Sequence, residues 1–207
     1  MSVLAINTAQ ASCDVAITAS GGEVFRLTEI LKTGQDAALP GMVETLLAEA
    51  GLALTNLSRI GVCVGPGSFT GVRIGVAYAR GLALTLGVPC VGVTSLQACL
   101  RPKHRQSPVR VALQAKKRPP DISFWTQGFD GDHLAASPPE EWALKAVRES
   151  TLPVVTDAPN QLPDAAGTAA PSAENIALWA AHLTPDDAPP SPAYVRAPDA
   201  ALPKAKG

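Results

Sequence analysis

Residues 60–75 read IGVCVGPGSFTGVRIG, and this stretch decides the fold. The apolar run Ile60–Val64 predicts a short buried strand. Gly65-Pro66-Gly67 then marks a turn, and Ser68 can cap a helix predicted from about Thr70 to Leu86. A buried strand that passes through a glycine turn into a helix is typical of a layered α/β fold.

The sequence on either side completes one lobe. Apolar residues at 3–4 spacing predict an earlier helix, with Asp36 as its N-cap and Gly51 as its stop, and Gly87 ends the later helix. The predicted order is three strands, a helix, a strand, a helix and a strand, which is the order of an actin/Hsp70/sugar-kinase lobe. The remaining strands are predicted at Val3–Thr8, Cys13–Ala19, Glu23–Ile30 and Cys90–Val93.

Composition changes near residue 100, since only three of the 19 prolines precede it. We therefore expect three parts: an N-terminal lobe over residues 1–100, a reduced second lobe over 101–183, and an extended proline-rich tail over 184–207. In the second lobe the predicted strands are Val109–Leu113, Ile122–Gln127 and Val154–Thr156, and the predicted helices are Glu140–Glu149 and Ala173–His182.

Overall composition excludes several classes of protein. A net charge of -1 does not indicate a general nucleic-acid binder, and a hydrophobic content of 46% indicates a real core. The N-terminus lacks a basic leader with a cleavage pattern, and no apolar run approaches the roughly 20 residues of a membrane span. The four cysteines form no CxxC pair, so we expect free thiols in a reducing cytoplasm.

Two features suggest binding surfaces, and each has a plainer structural explanation. The turn of Gly65, Pro66, Gly67, Ser68, Phe69 and Thr70 could hold an anion at a helix start, or its glycines could serve only close packing. The i+4 spacing of Gly71, Gly75, Ala79 and Ala83 makes a smooth stripe for a subunit interface or for packing inside the lobe. For the partner face we predict that stripe together with Leu39, Met42, Val43 and Leu46 of the first helix.

Seven of the 17 basic residues fall in the segment 101–118, which contains no acid. This segment could contact nucleic-acid phosphates through Lys116, Lys117 and Arg118. A solvated connector is the alternative, and it is favoured because no aromatic residues alternate with the charges.

Catalytic patterns are missing from the sequence. His104, His133 and His182 are far apart and form no metal-binding motif, and no GxSxG elbow is present. An actin-like ATPase needs an acidic residue at the end of its first strand, where this chain has the uncharged Asn7. We therefore expect no catalytic residue, no metal and no cofactor.

The chain resembles the TsaB (YeaZ) family, a non-catalytic relative of the TsaD (Kae1/Qri7) threonylcarbamoyl transferases. The resemblance is dense over residues 3–100, sparse from 101 to 190, and most specific at GPGSFTGVRIG. It rests on Ala5–Ala9, the helix from Leu39-Pro40 to Gly51, Gly65–Gly75, Gly81–Ala83, Val91–Leu96 and the closing segment Tyr194–Asp199.

The resemblance implies a two-lobed actin/Hsp70-like fold with a shrunken second lobe. It also implies a heterodimer with TsaD through the first two long helices, in an assembly that includes the ATPase TsaE. The modified base would be the adenosine 3′ of the anticodon in tRNAs that read codons beginning with A, and the chain would contact tRNA only through the complex. The sequence leaves open whether the isolated subunit forms a homodimer.

Comparison with the family's pattern shows where catalytic residues are replaced. The metal-binding histidines of TsaD correspond to Ser95 and Cys99 here. The family usually has Asp in place of Asn7, and an Asp-Ala-Arg/Lys segment in place of Gln114-Ala115-Lys116. Two alternatives stay open: an actin-like ATPase, kinase or peptidase-like enzyme, and a structural homodimer without a catalytic partner.

Overall fold

The first half of the chain builds a mixed sheet with strand order β3-β2-β1-β4-β5. The computed structural model describes residues 1–31, 33–102, 107–193 and 195. Strands β1, β2 and β3 pair antiparallel, whereas β1, β4 and β5 run parallel. Their bounds are β1 Ser2–Gln10, β2 Ser12–Thr18, β3 Val24–Glu29, β4 Leu57–Cys63 and β5 Cys90–Val93.

Two helices cover one face of this sheet. Helix α1 (Gln35–Glu49) packs on β2 and β3, and helix α2 (Phe69–Leu86) packs on β1 and β4. Val62 of β4 faces Gly75 of α2. Successive residues of a strand point to opposite faces, so the neighbouring Gly61 points away from α2.

The second half forms another five-stranded sheet, in the order β10-β9-β6-β7-β8. The predicted helix Glu140–Glu149 is wrong in its first half, because Glu140–Ala143 pairs antiparallel with β7 and only Leu144–Arg148 is helical. Cross-strand pairing has overridden local helix preference there. The bounds are β6 Val109–Lys116, β7 Ser123–Phe129, β8 Glu140–Ala143, α3 Leu144–Arg148, β9 Val154–Thr156 and β10 Gly167–Thr168.

Helix α4 (Ala173–Ala180) packs on the first sheet, although it follows the second in the chain. A Cβ on Gly61 would lie 2.7 Å from Ala180 Cβ, so α4 covers the sheet face opposite α1 and α2. Asp14 Oδ2 accepts a 2.8 Å hydrogen bond from the amide of Ala173 at the start of the helix. A lobe boundary at residue 183 therefore stays a proposal, with α4 attached to the first sheet.

Three of the four predicted helix ends agree with the structure. Ser68 caps α2 by accepting a 3.2 Å hydrogen bond from the Gly71 amide, as predicted. Gly51 and Gly87 end their helices at φ of 63° and 67°, also as predicted. The N-cap prediction for Asp36 is wrong, because Gly34 occupies that position and Asp36 lies in the first turn.

The residues after α4 run along the first sheet without regular structure as far as residue 193, and we call 184–193 the strap. The Gly92 amide donates to Ala188 O at 2.8 Å, and the Ala193 amide donates to Val64 O at 2.7 Å. The strap thus covers the outer edge of β5 and the end of β4. In the part of the chain that the structure describes, no helix has the length and apolarity to cross a membrane.

Candidate functional site

The glycine turn between β4 and α2 is filled by the chain's own backbone. A Cβ on Gly67 would lie 2.2 Å from Ala9 O, and one on Gly71 would lie 2.0 Å from Thr8 O. The Ser68 amide already donates to Ala9 O at 2.8 Å. Two carbonyl oxygens directed at the turn repel an anion, so this geometry favours close packing over anion binding for residues 65–70.

The end of β1 is a hydrogen-bonded turn. Asn7 is buried, and its Oδ1 accepts from the Ala9 amide at 3.1 Å. Thr8 Oγ1 donates to Gly71 O at 2.7 Å, which ties this turn to α2. Asn7 thus stabilises its own turn, and Thr8 holds that turn against α2.

Ser95 and Cys99 lie beside β4 in a buried cluster. Ser95 Oγ is 3.1 Å from Cys63 Sγ, and Cys99 Sγ donates to Ser95 O at 3.3 Å. Burial raises the pKa of the Cys63 thiol and raises that of Cys99 well above the ordinary value. Neutral thiols are weak nucleophiles and weak metal ligands. Within the described ranges, no three His, Cys, Asp or Glu side chains are grouped to hold a metal.

The eight residues predicted for the partner face are enclosed by the subunit. Ala79 and Leu39 are fully buried, and a Cβ on Gly75 would meet Thr8 Oγ1 at 2.4 Å. The small-residue stripe lets α2 lie close to β1 and β4, so the stripe packs inside the subunit and is not a partner surface. The prediction is corrected accordingly for Leu39, Met42, Val43, Leu46, Gly71, Gly75, Ala79 and Ala83.

The opposite faces of α1 and α2 lie next to each other and are exposed. Leu84 of α2 is 85% exposed. Nothing lies within 4 Å of a Cβ built on Gly41 or Gly81. We call this surface the outer helix face. Its exposed small and apolar residues are Ala37, Gly41, Ala48, Phe69, Ala77, Gly81 and Leu84.

Sequence reasoning missed the outer helix face, although one signal was available. Leu84 falls outside the buried stripe of α2, because it follows Ala83 directly and is therefore turned about 100° away from it. Together with Ala77 and Gly81 it makes a second run at i, i+4, i+7.

The basic residues 116–118 are exposed at the end of β6. The backbone amide of Gln114, which precedes them, donates to Asp157 Oδ1 at 2.8 Å. The rest of the basic segment includes residues 103–106, which lie outside the described residues, as do Tyr194 and residues 196–207 of the predicted closing segment and tail. A nucleic-acid contact by Lys116, Lys117 and Arg118 stays a prediction.

Comparison with known proteins shows which family the chain resembles. The TsaD family, described as tRNA N6-adenosine threonylcarbamoyltransferase, matches residues 29–118. The Escherichia coli (strain K12) tRNA threonylcarbamoyladenosine biosynthesis protein TsaB is 33% identical over 127 residues, which are 61% of this chain and 54% of that protein. A Bacillus subtilis (strain 168) protein of the same name is 36% identical over 97 residues, covering 47% of this chain and 42% of the relative. The chain thus spans about half the length of the curated relatives it matches.

A solved structure covers almost the whole chain. YeaZ from Pseudomonas aeruginosa superposes with a TM-score of 0.71 over 93% of this chain and 99% of that one, at 23% identity. The chain is thus similar to proteins of the TsaB (YeaZ) family. As predicted, its fold is α/β and actin/ribonuclease H-like, with two lobes.

Proposed function

We propose that this chain is a non-catalytic subunit of the tRNA threonylcarbamoyladenosine pathway that binds a TsaD protein through its outer helix face. The relatives' names support the pathway. The observation that carries the partner proposal is the 85% exposed Leu84 beside the open surface of Gly81. Bare apolar surface of this kind marks a contact site.

The outer helix face also has a charge pattern suited to docking. Helix α1 exposes Glu44 and Glu49, whereas α2 exposes Arg73 and Arg80. A partner that presents a similar pair of helices can place its basic helix against α1 and its acidic helix against α2. Two helices on each side can bury about 1,600 Å², which a stable specific interface removes from water.

The turn at the end of β1 and the buried cluster of Ser95 and Cys99 support a role other than catalysis. Asn7 carries no charge with which to organise a metal and its nucleotide, and its amide oxygen is occupied by Ala9. Ser95 and Cys99 are bonded within the buried cluster. In this proposal TsaD performs the transfer to the adenosine 3′ of the anticodon in tRNAs that read codons beginning with A. TsaE joins the larger assembly, and residues 116–118 approach the tRNA within it.

An arginine scan of the outer helix face tests the proposal. Gly81→Arg or Leu84→Arg should raise the Kd for a TsaD from the same organism by about tenfold or more, because each places a charge at the centre of an apolar contact. Analytical ultracentrifugation gives the Kd, and circular dichroism checks the fold. Leu134→Arg is the matched control, since Leu134 is 52% exposed on the second lobe.

Unchanged association in both variants would contradict the partner proposal. A structural homodimer is distinguished in the same experiment. If the chain self-associates through this face but does not bind TsaD at any concentration ratio, the homodimer replaces the heterodimer as its function.

A further inference from the structure

A guanidinium that has no hydrogen-bond acceptor among the described residues lies on the outer side of the second sheet. Arg110 of β6 stacks on Trp142 of β8, with its Cζ 3.9 Å from the centre of the ring. Its side chain passes Gly128, the residue opposite it on β7, where a Cβ would lie only 3.7 Å from Nη2. A Cβ at that distance would make an ordinary van der Waals contact with the guanidinium.

Arg110 is incompletely satisfied within the described chain. Its Nε is buried and has no hydrogen-bond partner among the described residues. Burial lowers the pKa of the guanidinium, an effect that the nearby charge of Glu140 opposes. Glu140 itself is held by Trp142, whose Nε1 donates to Glu140 Oε2 at 2.8 Å. The buried Nε cannot itself meet a ligand, so an acceptor from outside would pair with the terminal nitrogens Nη1 and Nη2 of the guanidinium.

The guanidinium lines an open cavity of about 510 Å³. Cavities of about 300–1,000 Å³ are typical of small-molecule sites. The floor combines the Arg110–Trp142 stack with the small side chains of Ala143 and Ala146. The remaining lining residues are Glu141, Glu149, Ser150 and Thr151.

The charges around the cavity restrict the ligand. A guanidinium fork matches a carboxylate or a phosphate. Two lining residues are glutamates, which repel a polyanion such as a phosphate dianion or a nucleic acid. Glu149 forms only a long, exposed ion pair with Lys145, at 3.9 Å from Nζ. Because the Glu149 side chain is exposed, its carboxylate can turn to meet the ammonium group of a ligand. A ligand that carries one carboxylate and one ammonium fits both charges.

We propose that this cavity is a binding site for a small zwitterion of the α-amino acid class. Arg110 pairs with the carboxylate, Glu149 pairs with the ammonium, and the alanine-lined floor accepts a small side chain. The site lies on the second lobe and is independent of the outer helix face, so it goes beyond the proposed partner function.

Isothermal titration calorimetry on the full chain tests this with three probes: L-alanine, acetate and inorganic phosphate. We expect saturable binding of L-alanine, with acetate and phosphate weaker by at least about fivefold. Arg110→Gln should weaken L-alanine binding by about tenfold or more, because it removes a charge-assisted bidentate contact. Arg101→Gln is the control, since it removes the same charge from a side chain that is 54% exposed and does not line the cavity, and it should leave L-alanine binding unchanged.

Two further variants keep the result interpretable. Glu149→Gln should weaken L-alanine and leave acetate unchanged, because only L-alanine carries the ammonium. Arg110→Lys retains the charge for the case in which Arg110→Gln fails to fold, and it should still weaken binding because the fork is lost. The proposal is overturned if L-alanine does not bind, if acetate or phosphate binds as tightly, or if Arg110→Lys binds like the unaltered chain.

Discussion

Gly71 shows how a single missing side chain sets the approach of two elements. A Cβ at this position would lie 2.0 Å from Thr8 O, a backbone atom that cannot move without shifting β1. Gly71→Ala gains helix propensity of about 1 kcal/mol but forces this overlap. We expect a net loss of about 1–3 kcal/mol in the free energy of unfolding, measured by urea titration.

Gly81→Ala is the matched control within the same helix. Nothing lies within 4 Å of its Cβ position, so only the propensity gain applies and the chain should be stabilised by up to about 1 kcal/mol. Equal effects of the two substitutions would show that β1 does not press on α2 at Gly71.

The small-residue stripe also shows what a residue pattern leaves open. Spacing identifies Gly71, Gly75, Ala79 and Ala83 as one face, but a sheet and a partner helix place the same demand for small side chains on a helix. Only the position of Thr8 against Gly71 decides that the stripe faces inward. That contact joins residues 63 positions apart, and no local pattern encodes it.

At the scale of elements, a buried carboxylate anchors the start of α4, which also packs on the first sheet through its apolar residues. Asp14 accepts from Arg26, Thr28 and the Ala173 amide, each within 2.9 Å. The hydrogen bond to Asp14 raises the pKa of Arg26. Asp14→Ala should cost about 2–4 kcal/mol in the free energy of unfolding, since it leaves three donors without their acceptor.

Arg26→Ala removes the ion pair with Asp14 but keeps the hydrogen bond that Asp14 accepts from the start of α4. The Arg26 side chain is 40% exposed, so the charge pair itself is worth only about 1 kcal/mol and Asp14 keeps its other two donors. Amide hydrogen exchange should quicken at the start of α4 in Asp14→Ala and stay slow in Arg26→Ala. Equal exchange in the two variants would mean that Asp14 does not hold the helix.

Elements of the first lobe were predictable because local signals agree with one another. Ser68, Gly51 and Gly87 mark helix ends through their own chemistry, and the strand Cys90–Val93 was predicted with the bounds that the structure has. Glu140–Ala143 was not predictable, since its strand depends on pairing with β7. The Arg110–Trp142 stack was missed for the same reason, because two intervening connections bring those residues together.

At the scale of the whole molecule, buried thiols of the first sheet make the free energy of unfolding depend on pH. Burial raises the pKa of the Cys13 thiol from its ordinary 9.0 to about 11, and the negative charge of Glu29 adds a smaller contribution in the same direction. Burial also raises the pKa of Cys90 to about 11, against the opposing charge of Arg80. Both thiols thus stay protonated in the folded chain at a pH where they ionise once it unfolds.

The sign of the pH dependence follows from proton counts. Between about pH 9 and about pH 11 the unfolded chain binds fewer protons than the folded one, so the free energy of unfolding must fall as pH rises. Below pH 9 these two thiols contribute no slope. Urea titrations from pH 8 to 11 measure this, and a Cys13→Ala/Cys90→Ala double variant should show a flatter decline.

The smaller side chains lower its stability by a constant amount at every pH, and Tyr78, whose pKa burial also raises, contributes equally to both proteins. Parallel curves for the two proteins would show that these thiols reach water in the folded chain, and that the first sheet is less tightly packed than its contacts indicate.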